Sequence, residues 1–180
     1  MTDRRFPDTV AGTFPDPPTE FTDREGRTVE IRAYDGSEET YEALVDMYEA
    51  FDPADRAQGI PPGGEARIRG WLESILDADC LNVLAWCGDE VAGHATLVPD
   101  EEDVYELAIF VHQEYQEAGI GTKLIRGLLG YGQAEGVAKV WLTVERWNRA
   151  AVALYKKIGF ETTGAESFEM EMSLRLNDST

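Results

Sequence analysis

Lysine is scarce in this chain: four of 180 residues, beside twelve arginines and 35 aspartates plus glutamates, for a formal net charge of −19 at pH 7. Nucleic-acid affinity comes mostly from Lys and Arg neutralising phosphates, so a surface of this sign excludes that partner class. An acidic, lysine-poor, arginine-retaining composition reads as that of a halophilic protein kept soluble in multimolar salt; an acidic mesophilic protein is the alternative. At ~1 M salt the Debye length is about 3 Å, so the net charge then does little to steer a cationic ligand.

Cysteine and histidine are nearly absent, at two each. There is no CxxC, no HExxH and no carboxylate spaced to complete a site with His94 or His112, so no metal is expected and both histidines read as structural or surface residues. Cys80 and Cys87, seven apart on what reads as one strand, point to opposite faces; they cannot bridge and read as small buried hydrophobes. No run of about 18 apolar residues exists, which excludes a spanning helix. Arg4-Arg5 is followed by FPDTVAGTFPDPPTEF rather than an apolar stretch, so no export signal is read there. A cytoplasmic location is the expectation.

The length suits one domain with a real core. Four of the eight prolines fall within residues 1–20, which show no hydrophobic period and read as a disordered or loosely draped arm; residues 21–180 read as a single domain. Thr28–Tyr34 alternates as a strand. Ser37 can cap a helix over Glu38–Phe51, Pro53, Pro61 and Pro62 end it, and a second helix is expected from Glu65 to Leu76. Leu81–Cys87, Glu90–Leu97 and Val104–Val111 read as a meander whose first turn is Gly88-Asp89. A helix over Ile120–Glu135, a strand over Val140–Val144, a helix after Asn148 and a half-buried alternating strand over Phe168–Leu176 complete the order. The order implies an α+β fold, a mostly antiparallel mixed sheet with helices on both faces.

The richest segment is VYELAIFVHQEYQEAGIGT, residues 104–122, in which an apolar strand runs through Gln116, Gly119 and Gly121 into an amphipathic helix. A helix start has N–H donors without intrahelical partners and the positive end of the macrodipole, so phosphate oxygens are natural ligands. Glycines allow unusual φ values and close approach of a pyrophosphate. The P-loop pattern GxxxxGK[ST] is missing here, and Leu124 stands where a GxGxxG fingerprint needs its last Gly.

The loop instead fits [QR]xxGx[GA] over Gln116–Gly121, and Asn148–Phe160, NRAAVALYKKIGF, fits NxxAxxLYxxxGF. The ordered pair resembles the GNAT superfamily of N-acetyltransferases. With flanking elements the resemblance extends over residues 26–176, and it implies the GNAT fold with six to seven strands.

It also implies an acetyl-CoA-dependent transfer of acetyl to a primary amine, by direct attack in a ternary complex. Acetyl-CoA is the implied co-substrate. Its pantetheine arm would lie between the strands Val104–Val111 and Val140–Val144, against the backbone of Ile109, Phe110 and Val111, with an N–H near Ile109 or Ala108 polarising the thioester carbonyl. Gln116, Glu117, Ala118, Gly119, Ile120, Gly121 and Thr122 would hold the pyrophosphate, although Glu117 departs from the Gly or basic residue often found there. Asn148 reads as a helix N-cap from the residues alone and as a pantetheine contact by the resemblance. Tyr155 reads either as a core tyrosine or as the acid that protonates the leaving thiolate. Glu106, the one charge in an apolar strand, reads as the base or as a rim carboxylate. Arg56, Gln58 and Ile60 could touch the acceptor or belong to a mere connector. A non-catalytic acyl-CoA sensor of the same fold stays open, and the last strand could pair across a homodimer.

Overall fold

The computed structural model describes residues 4–52, 61–101, 103–166 and 168–178. Arg56, Gln58 and Ile60 lie outside the described residues. The strands are β1 (Thr19–Thr22), β2 (Thr28–Ala33), β3 (Leu81–Cys87), β4 (Glu90–Glu101), β5 (Val104–Val111), β6 (Lys139–Glu145), β7 (Glu161–Ala165) and β8 (Glu169–Arg175). The helices are α1 (Glu38–Glu49), α2 (Glu65–Ile75), α3 (Ile120–Ala134) and α4 (Arg149–Ile158). One eight-stranded sheet runs β1-β2-β3-β4-β5-β6-β8-β7, and every neighbouring pair is antiparallel except β5 and β6. The additional strand over the expected six to seven is the short β1, a TEFT segment with a single apolar residue.

Each face of the sheet has its own core. Val83 and Ala85 of β3 join Leu124, Ile125, Leu128 and Leu129 of α3, while Leu84, between them, joins Leu44 and Tyr48 of α1 and Ile68 and Leu72 of α2. The strict two-residue alternation thus serves two layers, which is why β3 and β4 carry apolar residues on both faces. α1 begins where expected, with the Ser37 side chain accepting from Thr40 N at 3.2 Å, and Glu38 and Glu39 in its first turn suit the helix dipole.

His94 is fully buried on β4 between two partners. Asn82 Nδ2 donates to Ile75 O at 2.8 Å, so its Oδ1 accepts from His94 Nε2–H at 2.7 Å, and His94 Nδ1 accepts from Tyr48 Oη–H at 2.7 Å. A neutral Nε2–H imidazole satisfies all three groups. Burial pushes its pKa down from 6.5 to about 3. A depressed folded-state pKa means stability that is complete above the unfolded value and is lost as pH falls toward the folded one. As pH falls from 6.5 toward about 3 this histidine is expected to cost the fold a steadily growing share of its stability. Imidazole nitrogen NMR shifts checked during acid titration should show the Nε2–H tautomer persisting until the protein unfolds.

Among its described residues the proline-rich arm has no helix and, before β1, no strand, yet parts of residues 4–18 pack against the domain. Phe14 is buried in the α3-side core. The Pro15 carbonyl lies so near α3 that a Cβ at Gly130 would stand 1.9 Å from its oxygen, so only glycine fits there. Val10 bridges to Arg175, and Ala11 N donates to Arg175 O at 2.9 Å. Proline content correctly forbids regular structure but does not forbid tertiary packing.

Two further expectations change. Cys80 precedes β3 instead of lying in it, and both cysteines are free and partly exposed, not buried. β8 has β6 on one side and β7 on the other, so the last strand cannot add to a partner's sheet; the edges are β1 and β7. Among the described residues no helix is long and apolar enough to cross a membrane.

Candidate functional site

β5 and β6 pair only at Val104–Lys139, Tyr105–Val140 and Glu106–Trp141. Beyond Glu106 the parallel strands part, while β5 remains paired to β4 as far as Val111 and β6 to β8 as far as Glu145. The sheet therefore opens as a V. In the opening is a cavity of about 360 Å³ lined by Ile109, Phe110, Val111, Gln116, Gly121, Asn148 and Tyr155, among others. It adjoins a second of about 530 Å³ lined by Glu117, Gly119, Thr122 and Arg24, and Val111, Gln116, Gly121, Ala151 and Leu154 line both.

The loop after β5, at the open end of this cleft, leads into the bare N-terminus of α3. His112 Nδ1 accepts from Glu114 N at 3.2 Å and starts a 3-10 turn over Gln113–Tyr115; Gln116 Nε2 then donates back to Val111 O at 2.9 Å. Glu117 has φ of 60° and Gly119 φ of 88°, two left-handed residues of the kind that backbone anion nests use. Gly119 is the N-cap of α3 and supplies no side-chain acceptor, and the first turn of α3 holds no acidic residue. The N–H donors there have no side-chain cap and are open to water or an outside anion. Ala118 and Ile120 are buried in the core and offer only backbone, whereas the Glu117 side chain is exposed.

Arg24 is a site residue that sequence reasoning missed. Asp23 accepts from Glu25 N, Arg27 N and Arg27 Nε within 2.9 Å, locking the β1–β2 turn. Arg24 N then donates to Ala118 O at 3.1 Å, which brings the Arg24 side chain to the phosphate-loop cavity. This contact joins residues almost a hundred positions apart, and no local pattern announces it.

Asn148 is the N-cap expected from the residues alone. Its Oδ1 accepts from Ala151 N at 3.2 Å as the cap of α4, and the residue lines the cleft. Tyr155, two turns on, is 9% exposed, packs edge-on to Phe160 with 5.8 Å between ring centroids, and has no hydrogen-bond partner for its hydroxyl among the described residues. Burial pushes its pKa up to about 12, so the phenol keeps its proton at all working pH values.

Glu106 is not in the cleft with Tyr155. It stands at the apex of the V, opposite Trp141, and lines a separate cavity of about 560 Å³ that includes Arg4, Trp141 and Glu171. Burial raises its pKa, Asp100 and Glu171 raise it further, and Arg4 opposes them. Among the described residues no group of three or more His, Cys, Asp or Glu is arranged to hold a metal ion.

A sequence model described as the Acetyltransferase (GNAT) family matches residues 39–160. The chain belongs to that family. Within it, the chain is 39% identical over 64 residues to the [ribosomal protein bS18]-alanine N-acetyltransferase of Escherichia coli (strain K12), covering 36% of this chain and 42% of the relative. It is 36% identical over 104 residues to mycothiol acetyltransferase of Corynebacterium glutamicum, covering 57% and 33%. These matches span less than half the length of the curated relatives. Among solved GNAT structures, the GNAT domain of S. lividans PAT superposes with a TM-score of 0.71 at 14% identity, covering 88% of this chain and 96% of that one. The yncA protein of Salmonella typhimurium, solved with its cofactor acetyl-CoA, gives 0.66 at 18% identity over 84% and 95%. At such identities the likeness shows the fold alone, and it establishes the GNAT fold expected from the sequence. The residues present fit acetyl-CoA: a bare helix N-terminus and Arg24 for phosphates, and a parted strand edge for an extended amide-bearing arm.

Proposed function

We propose that the chain is an acetyl-CoA-dependent N-acetyltransferase that passes acetyl directly to a primary amine within a ternary complex. The observation that carries this reading is the parting of β5 and β6 after Glu106, with the anion loop on one side of the opening and Tyr155 within it. Acetyl-CoA supplies an activated acyl group as a thioester. The N–H groups of Gly119–Thr122, aided by Arg24, hold its phosphates, and the β5 edge at Ile109–Val111 receives its pantetheine amides. A backbone N–H near Ala108 or Ile109 polarises the acyl carbonyl. Tyr155 holds a proton at Oη for the sulfur; burial raises the phenol pKa and raises a thiolate pKa in the same cleft, so the two stay matched. Glu106 takes the amine proton from the other side of the apex, directly or through a water.

An elevated Glu106 pKa fixes the pH response. The carboxylate must be ionised to act, so kcat/KM is expected to rise with pH through an apparent pKa above the usual 4.5. Glu106→Gln should lower kcat/KM about 10²-fold and remove that limb, as read by thiol release across pH. An unchanged limb would assign the proton to another group.

Two free cysteines and no disulfide among the described residues agree with a reducing cytoplasm, where we place the protein. We also read the surface as halophilic. Thermal midpoints should keep rising beyond ~1 M KCl, whereas simple screening of charge repulsion would be nearly complete there, where the Debye length is about 3 Å.

A further inference from the structure

The cavity at Glu106 already contains a cation. The Arg4 guanidinium lies over the Trp141 ring with its central carbon 3.4 Å from the centroid. Its Nε donates to Glu171 Oε1 and its Nη1 to Asp100 Oδ2, each at 3.0 Å. Trp141 Nε1 donates to the same Asp100 oxygen at 3.1 Å, which fixes the indole beneath the guanidinium. Only 16% of the Arg4 side chain is exposed. A flat aromatic floor with two carboxylates at its rim fits a planar, forked donor far better than a compact ammonium.

The backbone behind Arg4 is received as well. Ser173 Oγ donates to Arg5 O at 3.0 Å and Arg175 Nε to Pro7 O at 2.8 Å, so residues 5–7 are bonded to two β8 side chains. β6 and β8 present this face, with Trp141 opposite Ser173, and Glu106 is the β5 neighbour of Trp141. The groups that seat a peptide arginine are therefore beside the carboxylate proposed to deprotonate the acceptor.

We propose that the Asp100–Trp141–Glu171 cage is the specificity subsite for the acceptor, that it takes the arginine side chain of an extended peptide whose amine is acetylated, and that Arg4 occupies it as an intramolecular competitor. The proposal rests on the acetyltransferase reading for the identity of the neighbouring base. A site filled by its own chain shows an apparent dissociation constant raised by the reciprocal of the open fraction, so removing Arg4 should tighten arginine binding.

The test is a calorimetric titration of Nα-acetylargininamide, which has no primary amine to acetylate, and of the corresponding lysine amide. The proteins are the wild type, Arg4→Ala, and Arg4→Gln, which keeps most of the side-chain stem. Arg4→Ala and Arg4→Gln should bind the arginine amide about tenfold more tightly than wild type, and adding Glu171→Gln to either should reverse the gain. The lysine amide should bind more weakly to all of them. No gain in either variant, insensitivity to Glu171→Gln, or equal binding of the lysine amide overturns the cage. A CoA titration of the same samples separates the two ideas. CoA binding without an arginine gain sinks the cage alone; an arginine gain without CoA binding sinks the acetyl-transfer reading and leaves the cage only as an arginine-binding site that Arg4 fills.

Discussion

Tyr155→Phe is expected to lower kcat by about 10²- to 10³-fold while leaving the KM for acetyl-CoA nearly unchanged. The ring already packs as a core aromatic against Phe160, so phenylalanine keeps the contact, and no described hydrogen bond is lost with the hydroxyl. What disappears is the proton held beside the sulfur. Because that group acts as charge develops on the leaving atom, its loss falls on turnover rather than on binding. Burial pushes the phenol up to about 12, so Tyr155 also cannot produce a falling alkaline limb below pH 10 in the wild type. Steady-state thiol release, with thermal unfolding to verify an intact fold, checks both statements. Unchanged turnover would mean that the sulfur is protonated from elsewhere and that Tyr155 is a core residue.

Gly119→Val is expected to weaken acetyl-CoA binding by about 100-fold, because a β-branched residue at left-handed φ costs about 1–3 kcal/mol and the loop would relax out of the shape that gathers its N–H groups. Gly119 has φ of 88°, and a Cβ there would meet only Arg24 Nε at 3.8 Å, so the penalty is conformational and not steric. Gly121 provides the contrast. It has ordinary helical φ, and a Cβ would touch Val111, Ile109 and Leu154 at 3.9–4.0 Å, so alanine should be mild there and larger side chains should fill the cleft. Isothermal calorimetry on Gly119→Val and Gly121→Ala reads the difference directly. Equal effects would return both glycines to one role.

These two glycines show how far the sequence could be read. The motif placed both at the phosphate, but only the backbone separates the residue that needs positive φ from the one that needs empty space. β5 was legible to the residue because an apolar run meets an abrupt loop. β1 and β7 were harder to place, since TEFT and ETTGA lie at sheet edges and carry little apolar alternation to set a period. Arg24 and the Arg4–Trp141 stack depend on contacts across much of the chain, for which neither spacing nor propensity gives a signal. Glu106 and Tyr155 were both visible as chemistry-bearing residues. That they line different cavities on either side of the strand opening follows from where β5 and β6 part, a tertiary event.

The central claim is that the opening between β5 and β6 holds acetyl-CoA. Calorimetric titration of the folded protein with acetyl-CoA and with CoA, in molar KCl, tests it most directly. The account predicts micromolar binding of both, at one site per chain. Absence of binding by protein shown to be folded would contradict it, leaving the loop and the parted strands without their ligand.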